Sequence, residues 1–263
     1  MSTPVRAARD RTAAPKSFVI DAFPESAFRH LERDVLVCID VMESSTTLVT
    51  AVAQGRRAIV AASVLEAEQL AAALERPLIA GARVAGGSPF EIEDSPSSVA
   101  SQRDAARPLV LVSPPGTDLI VNAAAAPAVL VACFRNLAAT ADYVARHFAH
   151  VALLVAGCRD ELSSEDLIAS ARIAAALAAR GFEAEDLRTS DITQRWSAVE
   201  PSLAAWGNSA ARLRQRGRDD DLDLILGHVD DVPFACLYRQ HELWTPERAR
   251  LAAEPWPEAM VTP

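Results

Sequence analysis

Six apolar runs of strand length dominate the hydrophobic pattern up to residue 157. They lie at 34–41, 57–62, 77–80, 108–113, 128–133 and 151–157. Most are continuous rather than alternating, which indicates strands that are covered on both faces. Segments with helical periodicity separate them, at about 45–54, 63–75, 94–104, 117–126, 136–148 and 163–180. This alternation predicts an α/β fold, a layered α/β/α arrangement around a largely parallel or mixed central sheet.

The pattern changes after about residue 185. Helical segments are expected at 191–199 and 202–216, and the acidic run 218–233 follows them. The last apolar run, 233–238, is expected to be an edge strand because Pro233 begins it. The predicted organisation has three parts, which are a disordered tail at 1–16, an α/β core domain at 17–190, and a C-terminal helical region with a closing strand at 191–263, packed on the core.

Composition and charge narrow the range of partners. With 263 residues and 50% hydrophobic residues, the chain is long enough and apolar enough to bury a sizeable core. It contains no apolar run of about 18 residues and no secretory signal, so we expect a cytoplasmic protein that does not bind a membrane. A formal net charge of −9 without a basic patch argues against nucleic acid. A homo-oligomer is compatible with the sequence.

Polar residues follow three of the predicted strands. Asp40 and the run Glu-Ser-Ser-Thr-Thr at 43–47 come after the first strand, and Ser-Pro-Pro-Gly-Thr-Asp at 113–118 ends another. Small, acidic and hydroxyl residues at 157–166 follow the strand at 151–157. Because ligands bind at the carboxyl ends of strands in open α/β sheets, we expect these groups to converge if the strands are neighbours.

Each of these clusters also has a purely structural interpretation. Ser44 or Ser45 would serve equally as a helix cap, and Asp40 as a turn residue. Glu165 and Asp166 suit the first turn of a helix, where the helix dipole favours negative charge. The alternative is a site in which carboxylates hold Mg²⁺ and hydroxyls beside free N–H groups bind phosphate. The residue types alone leave both interpretations open.

The order of the segments resembles that of the 2-phosphosulfolactate phosphatase family. The resemblance runs over about residues 34–239. It is carried by "VCIDVMESSTTLVTAVAQG", "GARVAGGSPFEIEDSPSS", "LVSPPGTDLI", "VACFRNLAATADYV", "VALLVAGCRDELSSEDLIASARI" and the final "DDVP".

This resemblance implies a Mg²⁺-dependent phosphatase whose substrate is a small phosphorylated hydroxy acid, similar to 2-phosphosulfolactate. Asp40 is then the expected catalytic residue, as metal ligand, base or nucleophile, and Asp40, Glu165 and Asp166 are the expected metal ligands. The expected substrate-binding residues are Ser45, Thr46, Thr47, Arg83, Ser95, Gly116, Thr117 and Asn136.

The chain departs from the family pattern at several positions. Glu43 stands where the family has an arginine, and Ala82 stands where it has a glutamate. Ser113-Pro114-Pro115 replaces the family's Thr-Thr-Asn. A glutamate in place of an arginine removes a strong donor to a phosphate dianion and adds repulsion. The sequence therefore leaves an alternative, a catalytically impaired member of the family that binds a small anionic ligand or a protein partner.

Overall fold

A computed structural model describes residues 15–81, 90–158 and 161–252 of the chain. Arg83, one of the predicted substrate-binding residues, and the expected tail up to residue 14 lie outside these described residues. Within them, one large mixed sheet is flanked by helices, which confirms the predicted fold class. No helix in these ranges is both long and apolar enough to cross a bilayer.

The described part of the sheet has eleven strands. They are β1 (Ser17–Ala22), β2 (Val35–Ile39), β3 (Ala58–Val60), β4 (Leu78–Gly81), β5 (Ile92–Glu93), β6 (Leu109–Val112), β7 (Val129–Ala132), β8 (His150–Val155), β9 (Glu183–Ala184), β10 (Cys236–Arg239) and β11 (Glu242–Trp244). The α-helices are α1 (Ser44–Ala53), α2 (Val64–Ala72), α3 (Pro96–Ser101), α4 (Gly116–Ala123), α5 (Leu137–His147), α6 (Ser164–Ala178), α7 (Leu187–Trp196), α8 (Asn208–Gln215), α9 (Asp219–Gly227) and α10 (Pro246–Arg250).

Two groups of parallel strands run in opposite directions within this sheet. The strand order is β5-β4-β6-β3-β11-β10-β7-β2-β8-β1-β9. Pairing is parallel from β5 to β3 and from β7 to β9. The hairpin of β10 and β11 lies between the groups and is antiparallel to both of its neighbours. Three successive antiparallel pairings therefore reverse the strand direction from one group to the other.

Helices α1 and α4 pack against both groups of strands. One apolar cluster combines Leu36 of β2 and Leu111 of β6 with Ile120 of α4, and Leu48 of α1 belongs to the same cluster. Helices α5 and α6 cover the opposite face of the group from β7 to β9, and α2 covers that of the group from β5 to β3. Burial on both faces explains the continuous apolar runs, since every residue of β2 is buried.

The expectation of an edge strand at 233–238 is wrong. The strand in this region, β10, pairs with β7 on one side and with β11 on the other. Pro233 precedes the first strand residue, Cys236, and so removes no hydrogen bond from the ladder. The proline marks the entry into an interior strand.

Strand β1 delivers a buried carboxylate, Asp21, to a cluster of basic side chains. Arg29 donates to Asp21 Oδ2 at 2.8 Å, His30 Nε2 lies 2.9 Å from the same oxygen, and Arg188 donates to Oδ1 at 3.1 Å. Burial alone would raise the pKa of Asp21, but the hydrogen bonds from His30 and Arg29 outweigh it and lower the pKa to about 2. Ionised Asp21 therefore stabilises the fold above its unfolded pKa of 3.8.

Replacing Asp21 by Asn is expected to lower the free energy of unfolding by ~2 kcal/mol at pH 7, because about two pKa units are lost. The stabilisation disappears as the pH falls through the folded pKa, so the difference should narrow between about pH 4 and pH 2. Urea unfolding of the wild type and of Asp21→Asn from pH 7 down to about pH 2 measures this difference in the free energy of unfolding. A difference that stays constant with pH would contradict the ionic origin of the effect.

Candidate functional site

Asp40 follows β2 directly and is nearly buried, with 8% of its surface exposed. Ser44 Oγ donates to Asp40 Oδ2 at 2.9 Å. The Asp40 backbone N–H donates to Ser45 Oγ at 3.0 Å, and the Ser45 N–H donates back to the Asp40 carbonyl. The first two hydroxyls of α1 therefore fix the carboxylate and the backbone of Asp40, respectively.

The next two hydroxyls of α1 have different partners. Thr46 Oγ1 donates to the Val41 carbonyl at 2.8 Å, and Thr47 Oγ1 donates to Asp94 Oδ1 at 2.5 Å. Both threonines are fully buried. Of the predicted substrate-binding hydroxyls, Thr46 thus bonds to the backbone, and Thr47 holds the carboxylate of Asp94, which is not among the predicted site residues.

Asp94 lies immediately after β5 and is buried. The residue that follows, Ser95, caps α3 by accepting the Ser98 N–H at 3.1 Å, and its Oγ donates to Asp221 Oδ1 at 2.7 Å. Ser95 therefore joins α3 to α9, whereas Asp94 lines the cavity described below.

Gly116 begins α4 and lies against Asp40. A Cβ atom built on Gly116 would lie 2.1 Å from Asp40 Oδ2 and 1.9 Å from Ser44 Oγ. Thr117 is fully buried and accepts the Ser113 N–H at 3.1 Å through its Oγ1. The loop after β6 thus meets the end of β2, although the two strands belong to oppositely directed groups.

Two further predicted residues make contacts with the backbone. Asn136 is fully buried, accepts the Cys133 N–H at 3.0 Å, and donates to the Val131 carbonyl at 3.1 Å. Asp166 in the first turn of α6 accepts the Val41 N–H at 2.8 Å and the Gly157 N–H at 3.4 Å. Asn136 therefore shapes the end of β7, and Asp166 ties the end of β2 to the end of β8.

A cavity of about 290 Å³ opens beside Asp40. Its lining combines carboxylates, a loop with two prolines and one face of α8. The lining residues are Asp40, Met42, Glu43, Glu93, Asp94, Ser113, Pro114, Pro115, Gly157, Cys158, Ser209, Arg212, Leu213, Arg216 and Arg218. A neighbouring cavity of about 200 Å³ includes Glu165 and shares Cys158, Ser209 and Arg212 with the first.

Burial, together with the crowding of carboxyl groups, raises several pKa values in this region. Burial, followed by repulsion from Asp94, raises the pKa of Asp40 to about 7, although the hydrogen bond from Ser44 opposes the shift. Burial also raises the pKa of Asp94. For Asp166, burial and then the charges of Asp40 and Glu165 act in the same direction. The carboxyl groups of this site therefore ionise less readily than exposed ones, and they repel one another when ionised.

Arg218 is the cation that this acidic region already engages. Its Nε donates to Asp221 Oδ2 at 2.6 Å, and its Nη2 donates to Glu43 Oε1 at 2.7 Å and also to the Asp94 carbonyl. Its Nη1 lies 3.5 Å from Glu93 Oε2. Burial and the charge of Asp94 still raise the pKa of Glu43 to about 9, because one guanidinium faces several carboxylates.

The donor chemistry of the site suits a divalent cation. The described residues contain no group of three or more His, Cys, Asp or Glu side chains arranged to hold a metal ion. Mg²⁺ does not need such a group, since it usually binds one or two carboxylates, several waters and the phosphate of a substrate. A cation beside Asp40 would relieve the repulsion between the Asp40 and Asp94 carboxylates.

Sequence reasoning missed the polar residues of the C-terminal helices. A run of acidic residues such as Asp219–Asp221 is typical of a solvated face, but Asp221 is buried. It shares one face of α9 with the buried residues Leu222 and Ile225, a helical spacing that identifies it. In α8, Ser209 likewise lies at helical spacing from Arg212 and from the buried Leu213.

Comparison with known proteins identifies the family. A family model described as 2-phosphosulpholactate phosphatase matches residues 22–238. Proteins named "Probable 2-phosphosulfolactate phosphatase" from Symbiobacterium thermophilum and Synechococcus sp. (strain RCC307) are each 30% identical, over 72% and 73% of this chain and over 84% and 83% of their own lengths. A protein of the same name from Caldanaerobacter subterraneus is 24% identical over 78% of this chain and 89% of its own length. The chain therefore belongs to the 2-phosphosulpholactate phosphatase family.

Proposed function

We propose that this chain is a Mg²⁺-dependent phosphatase acting on a small phosphorylated hydroxy acid similar to 2-phosphosulfolactate, with the cavity beside Asp40 as its active site. Membership of the family supports the reaction class. The observation that carries the location is that Asp40 and Asp94 line one cavity while Gly116 lies against Asp40, although the three residues come from separate strand ends.

In this proposal Asp40 and Asp94 are the carboxylates that hold Mg²⁺ at the cavity, and Glu165 and Asp166 lie close enough for Asp40 to interact with both of them electrostatically. A bound Mg²⁺ would offset the charge of the phosphoryl group and favour ionisation of water. Ser44 orients the Asp40 carboxylate, and Thr47 orients that of Asp94. Ser113, Pro114 and Pro115 line the cavity beside Asp40, so the phosphate ester would lie against this loop.

A phosphate-release assay tests the proposal. The purified chain is given a panel of small phosphomonoesters that includes 2-phosphosulfolactate, with Mg²⁺ and with EDTA. We expect Mg²⁺-dependent release, together with a rise in melting temperature on adding Mg²⁺ alone. Absence of phosphate release from the whole panel would overturn the proposed activity.

A second candidate function is favoured by Glu43, whose carboxyl group lines the cavity and engages Arg218. Even when protonated, a carboxyl group stabilises a phosphate dianion less than an arginine at this place would, as expected for a catalytically impaired member of the family that binds a small anionic ligand. A melting-temperature rise with 3-sulfolactate or phosphate, but no turnover of any ester, would favour this candidate over the phosphatase.

Replacing Gly116 by Ala tests the approach of α4 to Asp40. The added Cβ would overlap Asp40 Oδ2 and Ser44 Oγ, and both side chains are buried and bonded to each other. Displacing them by about 1 Å is expected to lower kcat/KM by about 10²-fold. The matched control is Gly227→Ala at the end of α9, where a Cβ meets nothing within 4 Å and activity should be unchanged. Equal activity of the two variants would contradict the assigned role of Gly116.

A further inference from the structure

One face of α8 is presented to the cavity. Ser209, Arg212, Leu213 and Arg216 line it, and their spacing of three, four and seven residues places them on the same side of a helix. Leu213 is buried and packs in the main apolar cluster, which attaches this face to the core. The two arginines therefore face the same space as Asp40.

Helix α8 is also fixed against the first turn of α6. Gly207 precedes α8, and a Cβ built on it would lie 2.5 Å from Ser164 Oγ and 3.5 Å from Glu165 Oε2. The absence of a side chain at Gly207 permits this close approach. The arginine face is thus held at a defined place beside the carboxylates of the site.

The guanidinium groups of this face are available to a ligand. Arg212 donates to Ser209 Oγ at 3.0 Å, and Arg216 is exposed at the end of the helix. Neither forms an ion pair with any other residue that the structure describes. Arg218 differs, because all three of its guanidinium nitrogens already contact carboxyl or carbonyl oxygens.

The cavity therefore has an acidic side and a basic side. Asp40, Glu43, Glu93 and Asp94 form the first, and Arg212 and Arg216 belong to the second. Its volume of about 290 Å³ exceeds what a phosphate group alone fills, given that one water occupies about 30 Å³. An additional anionic group on a ligand would be attracted to the arginines rather than to the acidic side.

We infer that Arg212 and Arg216 bind a second acidic group of the substrate, a carboxylate or sulfonate on the carbon skeleton that carries the phosphate ester. This inference rests on the proposed phosphatase function and adds to it the residues that select for acid-bearing esters. Arg212 is the principal contact, because it lines both neighbouring cavities. Arg216 adds charge at the cavity entrance.

A graded series of esters tests the inference. Isopropyl phosphate carries no second acid, 2-phospholactate adds a carboxylate, and 2-phosphosulfolactate adds a carboxylate and a sulfonate. We expect Arg212→Gln to raise KM roughly tenfold or more for the acid-bearing esters, as expected for loss of a charged hydrogen bond. Arg216→Gln should act in the same direction more weakly. KM for isopropyl phosphate and all kcat values should remain unchanged.

Arg214→Gln is the matched control, because Arg214 lies on the same helix outside the cavity lining and donates to the Ala205 carbonyl. An increase already present with 2-phospholactate assigns Arg212 to the carboxylate, and one confined to 2-phosphosulfolactate assigns it to the sulfonate. Equal KM increases for all three esters would overturn the inference and assign Arg212 to the phosphate. If the wild type is active and Arg212→Gln leaves every KM value unchanged, the inference is also overturned, but the proposed function is not affected.

Calorimetric binding of 3-sulfolactate, which lacks the phosphate, separates the inference from the proposed function. Binding to the wild type and to Arg214→Gln, but not to Arg212→Gln, supports the second-acid site even if no ester is hydrolysed. Equal binding to all three proteins, or no binding to any, would contradict it. Circular dichroism of each variant checks that the fold is retained.

Discussion

Replacing Asp40 by Asn is expected to lower the rate of phosphate release by roughly 10³-fold, because the amide supplies neither a negative charge for a cation nor a base. Asn has the same shape as Asp and can still accept the hydrogen bond from Ser44. The loss should therefore appear in kcat with a retained fold. The readouts are phosphate release with saturating Mg²⁺ and the shift in melting temperature caused by Mg²⁺ alone, which the substitution should reduce.

The same substitution is expected to stabilise the metal-free protein. The pKa of Asp40 is raised from 3.8 to about 7 by burial and by the charge of Asp94. Since the folded pKa exceeds the unfolded one, the stability associated with the protonated carboxyl is complete below pH 4 and decreases as the pH rises towards 7. At pH 8 in EDTA, Asp40→Asn should be more stable than the wild type by about 2–4 kcal/mol.

The pH dependence and a matched variant provide the controls. The stability difference between Asp40→Asn and the wild type should grow from about pH 4 to pH 7 and then level off. Asp118→Asn changes a half-buried carboxyl in the first turn of α4 that does not line the cavity, and it should retain activity. An active Asp40→Asn protein would contradict the catalytic role of the carboxylate, and a variant less stable than the wild type at pH 8 would show that the carboxylate stabilises the fold.

The interior strands were predictable because their burial is continuous in sequence. The run at 34–41 contains β2, whose five residues are all buried. Strand β1 was missed, because its partner β8 is distant in the chain and its apolar pattern ends in the charged Asp21. The pairing of Ser17 with His150 is set by tertiary contacts, and local periodicity carries no information about it.

The candidate site was predictable at the level of strand ends but not at the level of side-chain direction. Asp40 was placed correctly after a buried strand, and the loop at Gly116 does meet it. The hydroxyl pattern at 44–47 did not distinguish Ser44, which contacts Asp40, from Thr46, which bonds to the backbone. A hydroxyl serves a cap, a carboxylate or a ligand equally well, and the choice depends on the path of the chain.

Replacing Arg218 by Met is expected to lower the free energy of unfolding at pH 7 by ~3–5 kcal/mol, the range for removing one partner of a buried ion pair. Only 12% of the Arg218 side chain is exposed, and the side chain of its partner Asp221 is 3% exposed. Asp221 Oδ1 is already bonded to Ser95 and Ser97, so the carboxylate cannot turn towards solvent without breaking these bonds. Urea denaturation monitored by fluorescence measures the change.

Double-mutant cycles should show that Asp221, rather than Glu43, is the main energetic partner of Arg218. The two carboxyl groups lie at similar distances, with oxygens 2.6 Å and 2.7 Å from guanidinium nitrogens. They differ in charge, because the pKa of Glu43 is raised to about 9 by burial and by Asp94, so this group is largely protonated at pH 7. Coupling with Asp221→Asn should therefore exceed coupling with Glu43→Gln at pH 7.

The matched control for stability is Arg216→Met, since Arg216 is exposed and its loss should change the free energy of unfolding by less than about 0.5 kcal/mol. The cycle with Glu43→Gln also tests whether the coupling energy rises or falls with pH. Raising the pH from 7 towards 9 ionises Glu43 and should strengthen its coupling to Arg218, whereas the coupling to Asp221 should stay constant. If the Glu43 coupling is already the larger one at pH 7, Glu43 is ionised there, and its charge acts directly on any anion in the cavity.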